Sequence, residues 1–232
     1  MKGKRNIRIP SDAEHLEFVR KIAHQAESQS TNYYEDFNDE LILLGTSMHA
    51  IYLSAACVKN CVGGSHQIEY IGARVYNLSA ASYNLIVSGF YDEAQSLIRS
   101  IGEISNLISL AVHDYKSFEK WTLSDKKKRI SEFSPFKVRK LVEKANGVLI
   151  MNNELYSELC EEYTHLIPQV RPNNYDHEQN VCGGLAQEKG FEQAIKLLTN
   201  LVFMLGLFFC THSGLDDEFE QLEKLGLNEK HN

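Results

Sequence analysis

The fold of this chain is decided by residues 66–113, which read HQIEYIGARVYNLSAASYNLIVSGFYDEAQSLIRSIGEISNLISLAVH. Apolar residues recur every three or four positions in each half, and Gly89 separates the two halves. This spacing is typical of amphipathic helices, and glycine commonly follows the end of a helix. The stretch therefore predicts two long helices, over about 66–88 and 92–113.

Helical signals continue on both sides of this pair, and no alternating run predicts a strand. Ser11 and Glu14 have the spacing of a capping box, and Ser134 followed by Pro135 is a typical helix start. We predict an all-α fold, a helical bundle of four or five long helices with short accessory helices, and helix over more than about 60% of the chain, against roughly a third in an average protein.

The whole chain, 1–232, is predicted to form a single helical-bundle domain. Its successive parts are an N-terminal helix over 11–29, three long helices over 39–113, a basic helical segment over 114–165, an irregular loop over 166–185 and C-terminal helices over 186–232.

Composition is that of a soluble globular protein of the cytoplasm. Hydrophobic residues make up 43% of the chain, which is enough to bury a sizeable core, and the formal net charge is −7. The basic N-terminal residues lack the apolar core of a signal peptide. The five cysteines include no CxxC pair and no histidine at zinc-finger spacing. We therefore expect reduced thiols, no metal and no cofactor.

Positive charge is concentrated between residues 120 and 144, where nine lysines and arginines face three acidic residues. Such a run is either a solvated helix face or a surface that binds RNA. The candidate RNA-binding residues are Lys126, Lys127, Lys128, Arg129, Arg139 and Lys140.

Arg99 and Glu103 lie one helical turn apart and share a helix face with Asn106 and Leu110. A charged stripe that continues into a leucine indicates partial burial between helices. Two interpretations follow. The pair is a structural salt bridge that fixes the register of the helix, or it belongs to a polar pocket that binds an anion or supports catalysis.

The segment 170–177, VRPNNYDH, lies within an unusually long connection for a helical domain, and such connections are often functional. Arg171 is suited to holding a phosphate, and His177 to proton transfer near neutral pH. The alternative is an exposed polar loop.

The spacing of Arg171 and His177, R-x5-H, resembles the R-x4-6-H motif of the HEPN superfamily. The resemblance implies a helical bundle that acts as a dimeric, metal-independent ribonuclease of a toxin or phage-defence system. It also implies that Arg171 and His177 promote attack of the RNA 2′-hydroxyl on the adjacent phosphate. In such a ribonuclease, Arg99 and Glu103 are the candidate supporting pair.

Residues 89–103, GFYDEAQSLIRSIGE, are similar to a second pattern, G-x-x-x-E-A followed by L-x-R-S-x-x-E, found in bacterial helical-bundle proteins of unassigned function. Those proteins often carry a later Y-x-x-L-S-x-x-V-H-P stretch, and Arg171 stands here where that stretch has histidine. The corresponding residues are Tyr163, Leu166, Ile167, Val170, Arg171 and Pro172. This resemblance implies the fold more than an activity.

The most apolar stretch, 197–210, is short for a membrane span and is predicted to be a buried helix, with no membrane contact. Its large side chains surround the helix: Leu197, Leu201, Phe203, Leu205, Phe208 and Phe209. A helix that is apolar all round must be covered on all sides, either at the centre of a bundle or by a second chain. We predict a homodimer formed through this helix.

Two functions of different classes follow from these observations. The first is a binding or assembly protein, of bacterial type, because the common catalytic motifs are missing. The alternative is the HEPN-like ribonuclease, which requires the side chains of Arg171 and His177 to converge in one cleft or across a dimer.

Overall fold

The computed structural model describes residues 15–59, 61, 63–165, 167–168, 171–176 and 181–228. Within these residues there are ten α-helices and no strand, and the structure is 76% helical, which confirms the all-α prediction. The helices are α1 His15–Ser30, α2 Asn38–Ala55, α3 Gln67–Val87, α4 Tyr91–His113, α5 Tyr115–Leu123, α6 Lys126–Glu132, α7 Pro135–Lys144, α8 Asn153–Tyr163, α9 Glu188–Ser213 and α10 Asp216–Asn228. The predicted capping box lies outside the described residues.

Local sequence explains where several helices begin and end. Gly89 adopts a φ of 74°, a left-handed conformation that glycine tolerates. It follows the end of α3 at Val87 and precedes the start of α4 at Tyr91. The side chains of Asp114, Asp125 and Asn152 each accept a hydrogen bond from a backbone N–H in the first turn of α5, α6 and α8. These caps divide the predicted basic helical segment into several short helices, the first of which covers residues 115–123.

The apolar helix α9 lies at the centre of the bundle and packs against α2, α3, α4 and α10. Its buried side chains include Leu198, Val202, Leu205 and Phe209. By length and composition it could cross a bilayer, but 56% of its apolar window is buried inside the chain, as in a core helix. The chain itself therefore covers one side of this helix, while Met204 is 44% exposed and Phe203 and Phe208 are half-buried. The homodimer through this helix remains a prediction.

Candidate functional site

A row of polar side chains runs along one face of α4, at intervals of three or four residues. Each of them contacts the chain between residues 148 and 175, which passes alongside α4. We call this row the polar seam, and its members are Asp92, Ser96, Arg99, Glu103, Asn106 and Ser109. Spacing of this kind places all six on one side of a helix, so the predicted charged stripe is a contact surface between elements.

The centre of the polar seam is formed by Arg99, Glu103 and Tyr156. Arg99 forms an ion pair with Glu103, and its Nη1 also donates to the Tyr156 hydroxyl at 3.4 Å. That hydroxyl in turn donates to Glu103 Oε1 at 3.1 Å, and burial raises the pKa of Tyr156 to about 12, so it keeps its proton. The side chains of Arg99 and Glu103 are 19% and 29% exposed, so water reaches both.

Arg139 extends this centre towards α7. Its guanidinium lies 4.0 Å from the centroid of the Tyr156 ring, and its Nε donates to Asn153 Oδ1 at 2.7 Å. Arg139 is only 5% exposed. The sequence predicted that Arg139 belongs to an exposed RNA-binding surface, but its side chain is buried. A cation held against an aromatic ring loses its hydration and becomes part of the interior wall.

A cavity of about 210 Å³ opens between α4, α5 and α7, beside the polar seam. It combines a carboxylate, a guanidinium and two half-buried aromatic rings. We call it the aromatic pocket; it is lined by Glu103, Ile104, Asn106, Leu107, Trp121, Phe133, Pro135, Val138 and Arg139. Trp121 is held in place by stacking on Phe118, with the ring centroids 5.6 Å apart. The pocket thus offers both ring surfaces and charged groups to a small planar ligand.

The basic residues on either side of this pocket lie on two short helices, α6 and α7. We call this surface the basic face, and define it by Lys126, Lys127, Lys128, Arg129, Lys137 and Lys140, all of which are exposed. Three of them have partners: Arg129 donates to the Ser124 carbonyl, Lys137 to the Ser131 carbonyl, and Lys140 lies 2.8 Å from Glu143. Exposed apolar side chains, Ile130 and Phe136, stand between the cations. In the chain, Trp121 lies in α5 before α6 and Phe133 directly follows α6, so the helix that carries Lys126, Lys127 and Lys128 connects the two aromatic residues of the pocket.

Arg171 lies elsewhere, in a cleft of about 300 Å³ at the N-terminal end of α4. Asp92 and Glu162 share this cleft with Arg171, together with the rings of Tyr163 and Tyr175. Two carboxylates near the arginine disfavour a phosphate there, because like charges repel. His177, the second residue of the R-x5-H motif, lies outside the described residues.

The connection that carries Arg171 is anchored by two amide side chains. Asn173 adopts a φ of 49°, and its Oδ1 accepts hydrogen bonds from the backbone N–H groups of Tyr91 and Asp92, which caps α4. The Gln187 side chain accepts from the backbone of Tyr175 and Asp176 and donates to the Asn173 carbonyl at 2.8 Å. The segment 173–176 is therefore fixed to the bundle through the buried Asn173, while Arg171, Pro172 and Asp176 are exposed.

Comparisons with protein-family models, curated proteins and solved structures find no match for this chain. The two resemblances therefore rest on the residues quoted for them. Sequence reasoning did not identify Tyr156, Trp121 or Phe133 as site residues. Each is a single aromatic residue among helical positions, and only its partners in space distinguish it from a core residue.

Replacing Arg99 with alanine is expected to cost about 1–2 kcal/mol in the free energy of unfolding, between the values typical of exposed and buried pairs. Glu103 would keep its hydrogen bond from Tyr156, and partial exposure would hydrate the remaining carboxylate. Urea unfolding measures the change. Lys224→Ala is the matched control, since Lys224 and Glu220 form an exposed pair with the same i,i+4 spacing. A loss of 4 kcal/mol or more (about the buried-pair value) in Arg99→Ala would contradict the expectation.

Proposed function

We propose that this protein is a helical-bundle binding protein of the cytoplasm that binds single-stranded RNA through the basic face and the aromatic pocket. The observation that carries the proposal is that Trp121 and Phe133 line one pocket and lie on the two sides of the lysine-rich helix α6 in the chain, Trp121 in α5 before it and Phe133 directly after it. Single-stranded RNA needs both features, cations for its phosphates and ring surfaces for its unstacked bases.

The cations of the basic face account for affinity without sequence preference. Lys126, Lys127 and Lys128 are consecutive and exposed, so at least two can reach one strand at the same time. Neutralising phosphates with lysine releases bound counterions, which drives association at low salt. The remainder of the chain is acidic, with a net charge of −7 for the whole protein, so the attraction is confined to this face.

The aromatic pocket accounts for a preference for single strands. Bases in a duplex are stacked on their neighbours and cannot enter a pocket beside a helix. An unpaired base can stack on Trp121 or Phe133, while the Glu103 carboxylate accepts hydrogen bonds from its amino and imino groups. Stacking on one aromatic ring contributes about 1–3 kcal/mol per base.

Cleavage of RNA by Arg171 and His177 is a second proposal, and no described contact favours it. Arg171 shares its cleft with two carboxylates, and Arg99 is already paired with Glu103. We therefore treat cleavage as a separate outcome of the RNA experiment. A metal-independent ribonuclease would shorten the RNA equally with and without a chelator, whereas a binding protein would leave its length unchanged.

Fluorescence anisotropy with a labelled single-stranded RNA and a matched duplex tests the proposal. If about four phosphates are neutralised, the affinity for the single strand should fall roughly 50-fold between about 50 and 200 mM salt. The duplex should bind more weakly at every salt concentration. Equal binding to duplex and single strand would remove the role of the pocket. No RNA binding at low salt, or binding to anionic lipid vesicles instead of RNA, would overturn the proposal.

A further inference from the structure

The connection between α2 and α3 brings together three side chains that bind soft metal ions. The Sγ atoms of Cys57 and Cys61 and a ring nitrogen of His66 all lie within 4.8 Å of one another. The Sγ of Cys57 is 3.9 Å from His66 Nδ1. The sequence predicted no metal site, because it contains no CxxC pair and no histidine at zinc-finger spacing.

The backbone takes an unusual course to achieve this convergence. Cys57 and His66 both have left-handed φ values, 50° and 53°, which are uncommon for residues other than glycine. Gly63 and Gly64, with φ values of 79° and 80°, turn the chain between them. Strained backbone of this kind persists where the surroundings hold it, and it is enriched at functional sites. Here it aims two of the three donor side chains at one point.

A buried carboxylate lies next to the three donors. Glu69 is only 4% exposed, and its Oε1 is 3.8 Å from His66 Nδ1 and 3.5 Å from His212 Nε2. In the described part of the chain, its ion-pair partners are these two histidines and no lysine or arginine. Buried carboxylates are normally paired with a cation or a metal. A metal at the cysteines and His66 would supply that positive charge.

We propose that Cys57, Cys61 and His66 bind one zinc ion, with Glu69 as the fourth donor. Thiolate sulfur and imidazole nitrogen are the ligands that zinc prefers, whereas calcium and magnesium prefer oxygen. With bonds of about 2.0–2.3 Å in a tetrahedron, the ligand atoms stand roughly 3.5–3.8 Å apart. The ligand atoms of Cys57, Cys61 and His66, which lie within 4.8 Å of one another, require only small side-chain rotations to reach this geometry, whereas Glu69, 3.8 Å from His66, must turn further towards the ion. Each cysteine releases its thiol proton when it binds the metal.

A zinc ion at this position joins three parts of the bundle. Cys57 follows the end of α2, while His66 and Glu69 begin α3. Glu69 connects the site to His212 in the last turn of α9, and the His212 ring stacks on Phe208 at 6.0 Å. The site is therefore structural: it fixes the connection between α2 and α3 to the C-terminal end of the central helix. It is independent of the RNA proposal, because no residue of the basic face takes part.

Metal binding is tested on the reduced, metal-free full-length protein. Cobalt(II), used as a spectroscopic probe, should give thiolate charge-transfer absorption and the strong visible bands of a tetrahedral site. Competition with a chromophoric zinc chelator should give one zinc per chain. Cys57→Ser, Cys61→Ser and His66→Ala should each weaken zinc binding by about 100-fold, since each removes about a quarter of the ligation. Glu69→Gln should weaken it by about 10- to 100-fold.

Cys182→Ser is the matched control, because Cys182 is an exposed cysteine outside the cluster, and it should bind zinc as the wild type does. With free zinc at about 1,000 times the Kd, the Tm of the wild type should rise by roughly 10 °C. The cobalt spectrum of the wild type decides the question even if a variant fails to fold. A spectrum without thiolate absorption, or a Cys57–Cys61 disulfide with no zinc binding after reduction, would overturn the proposal.

Discussion

Replacing Lys126, Lys127 and Lys128 together with glutamate is expected to weaken RNA binding at low salt by at least about 100-fold. The three lysines are exposed at the start of α6, and Phe133, directly after this helix, lines the aromatic pocket. Their replacement removes the cations that neutralise phosphates and puts three anions in the same place, so attraction becomes repulsion. Anisotropy titrations measure the affinity, and the slope of log affinity against log salt should become shallower in the variant.

The control is a second triple variant in which glutamate replaces Arg20, Lys21 and Lys224, which are exposed on α1 and α10. Both triple variants change the net charge by the same amount, so the control separates the local effect of α6 from the overall charge. The control should bind RNA within a few-fold of the wild type. A similar loss in both variants would mean that net charge, and not the basic face, determines the affinity.

Replacing Asn106 with leucine is expected to lower the free energy of unfolding by about 3 kcal/mol. The Asn106 side chain is only 3% exposed and holds both backbone groups of Met151. Its Nδ2 donates to the Met151 carbonyl at 2.8 Å, and its Oδ1 accepts from the Met151 N–H at 3.2 Å. Leucine is of similar size but leaves these two buried groups unpaired, and each costs about 1–3 kcal/mol.

Urea unfolding and a thermal melt measure this change, and a loss of about 3 kcal/mol corresponds to a fall in Tm of roughly 6–12 °C. Asn77→Leu is the matched control, since Asn77 is also in the middle of a long helix but is exposed. It should change the stability by less than about 0.5 kcal/mol. If the two variants have the same stability, the hydrogen bonds between α4 and Met151 do not contribute as described.

The polar seam favours the structural interpretation of Arg99 and Glu103 over the catalytic one. Ser96, Asn106 and Ser109 are on the same side of α4, and each bonds a backbone group of the chain that passes it. Arg99 and Glu103 instead form hydrogen bonds with the side-chain hydroxyl of Tyr156. A pair that is one step of a continuous row fixes the register between α4 and α8. Glu103 and Arg139, which both contact Tyr156, also line the aromatic pocket of the proposed RNA-binding site.

Helix type and helix ends could be predicted from the sequence because they depend on neighbouring residues. The apolar spacing of residues 66–113 predicts α3 and α4, and the glycine at position 89 separates them at the observed place. Pro135 after Ser134 likewise begins α7. The division of the basic helical segment was not predicted: the cap from Asp114 begins a separate helix at Tyr115.

Contacts between distant residues were decided only by the tertiary structure. Arg139 has the same sequence surroundings as Lys140, yet it is buried against Tyr156 while Lys140 is exposed. Cys57, Cys61 and His66 meet because α2 ends at Ala55 and the chain then turns through left-handed conformations at Cys57, Gly63, Gly64 and His66.

The sequence by itself determined an all-α chain with its long helices, a concentrated basic segment and an apolar central helix. Hydrophobic periodicity and capping depend on residues three or four positions apart, so a helix and its ends can be predicted from the residues of that segment alone. Only the packing of the helices decided which polar side chains are buried, which aromatic residues form a pocket and which cysteines share a site with a histidine. These depend on residues tens of positions apart, whose separation in space is set by how whole helices pack.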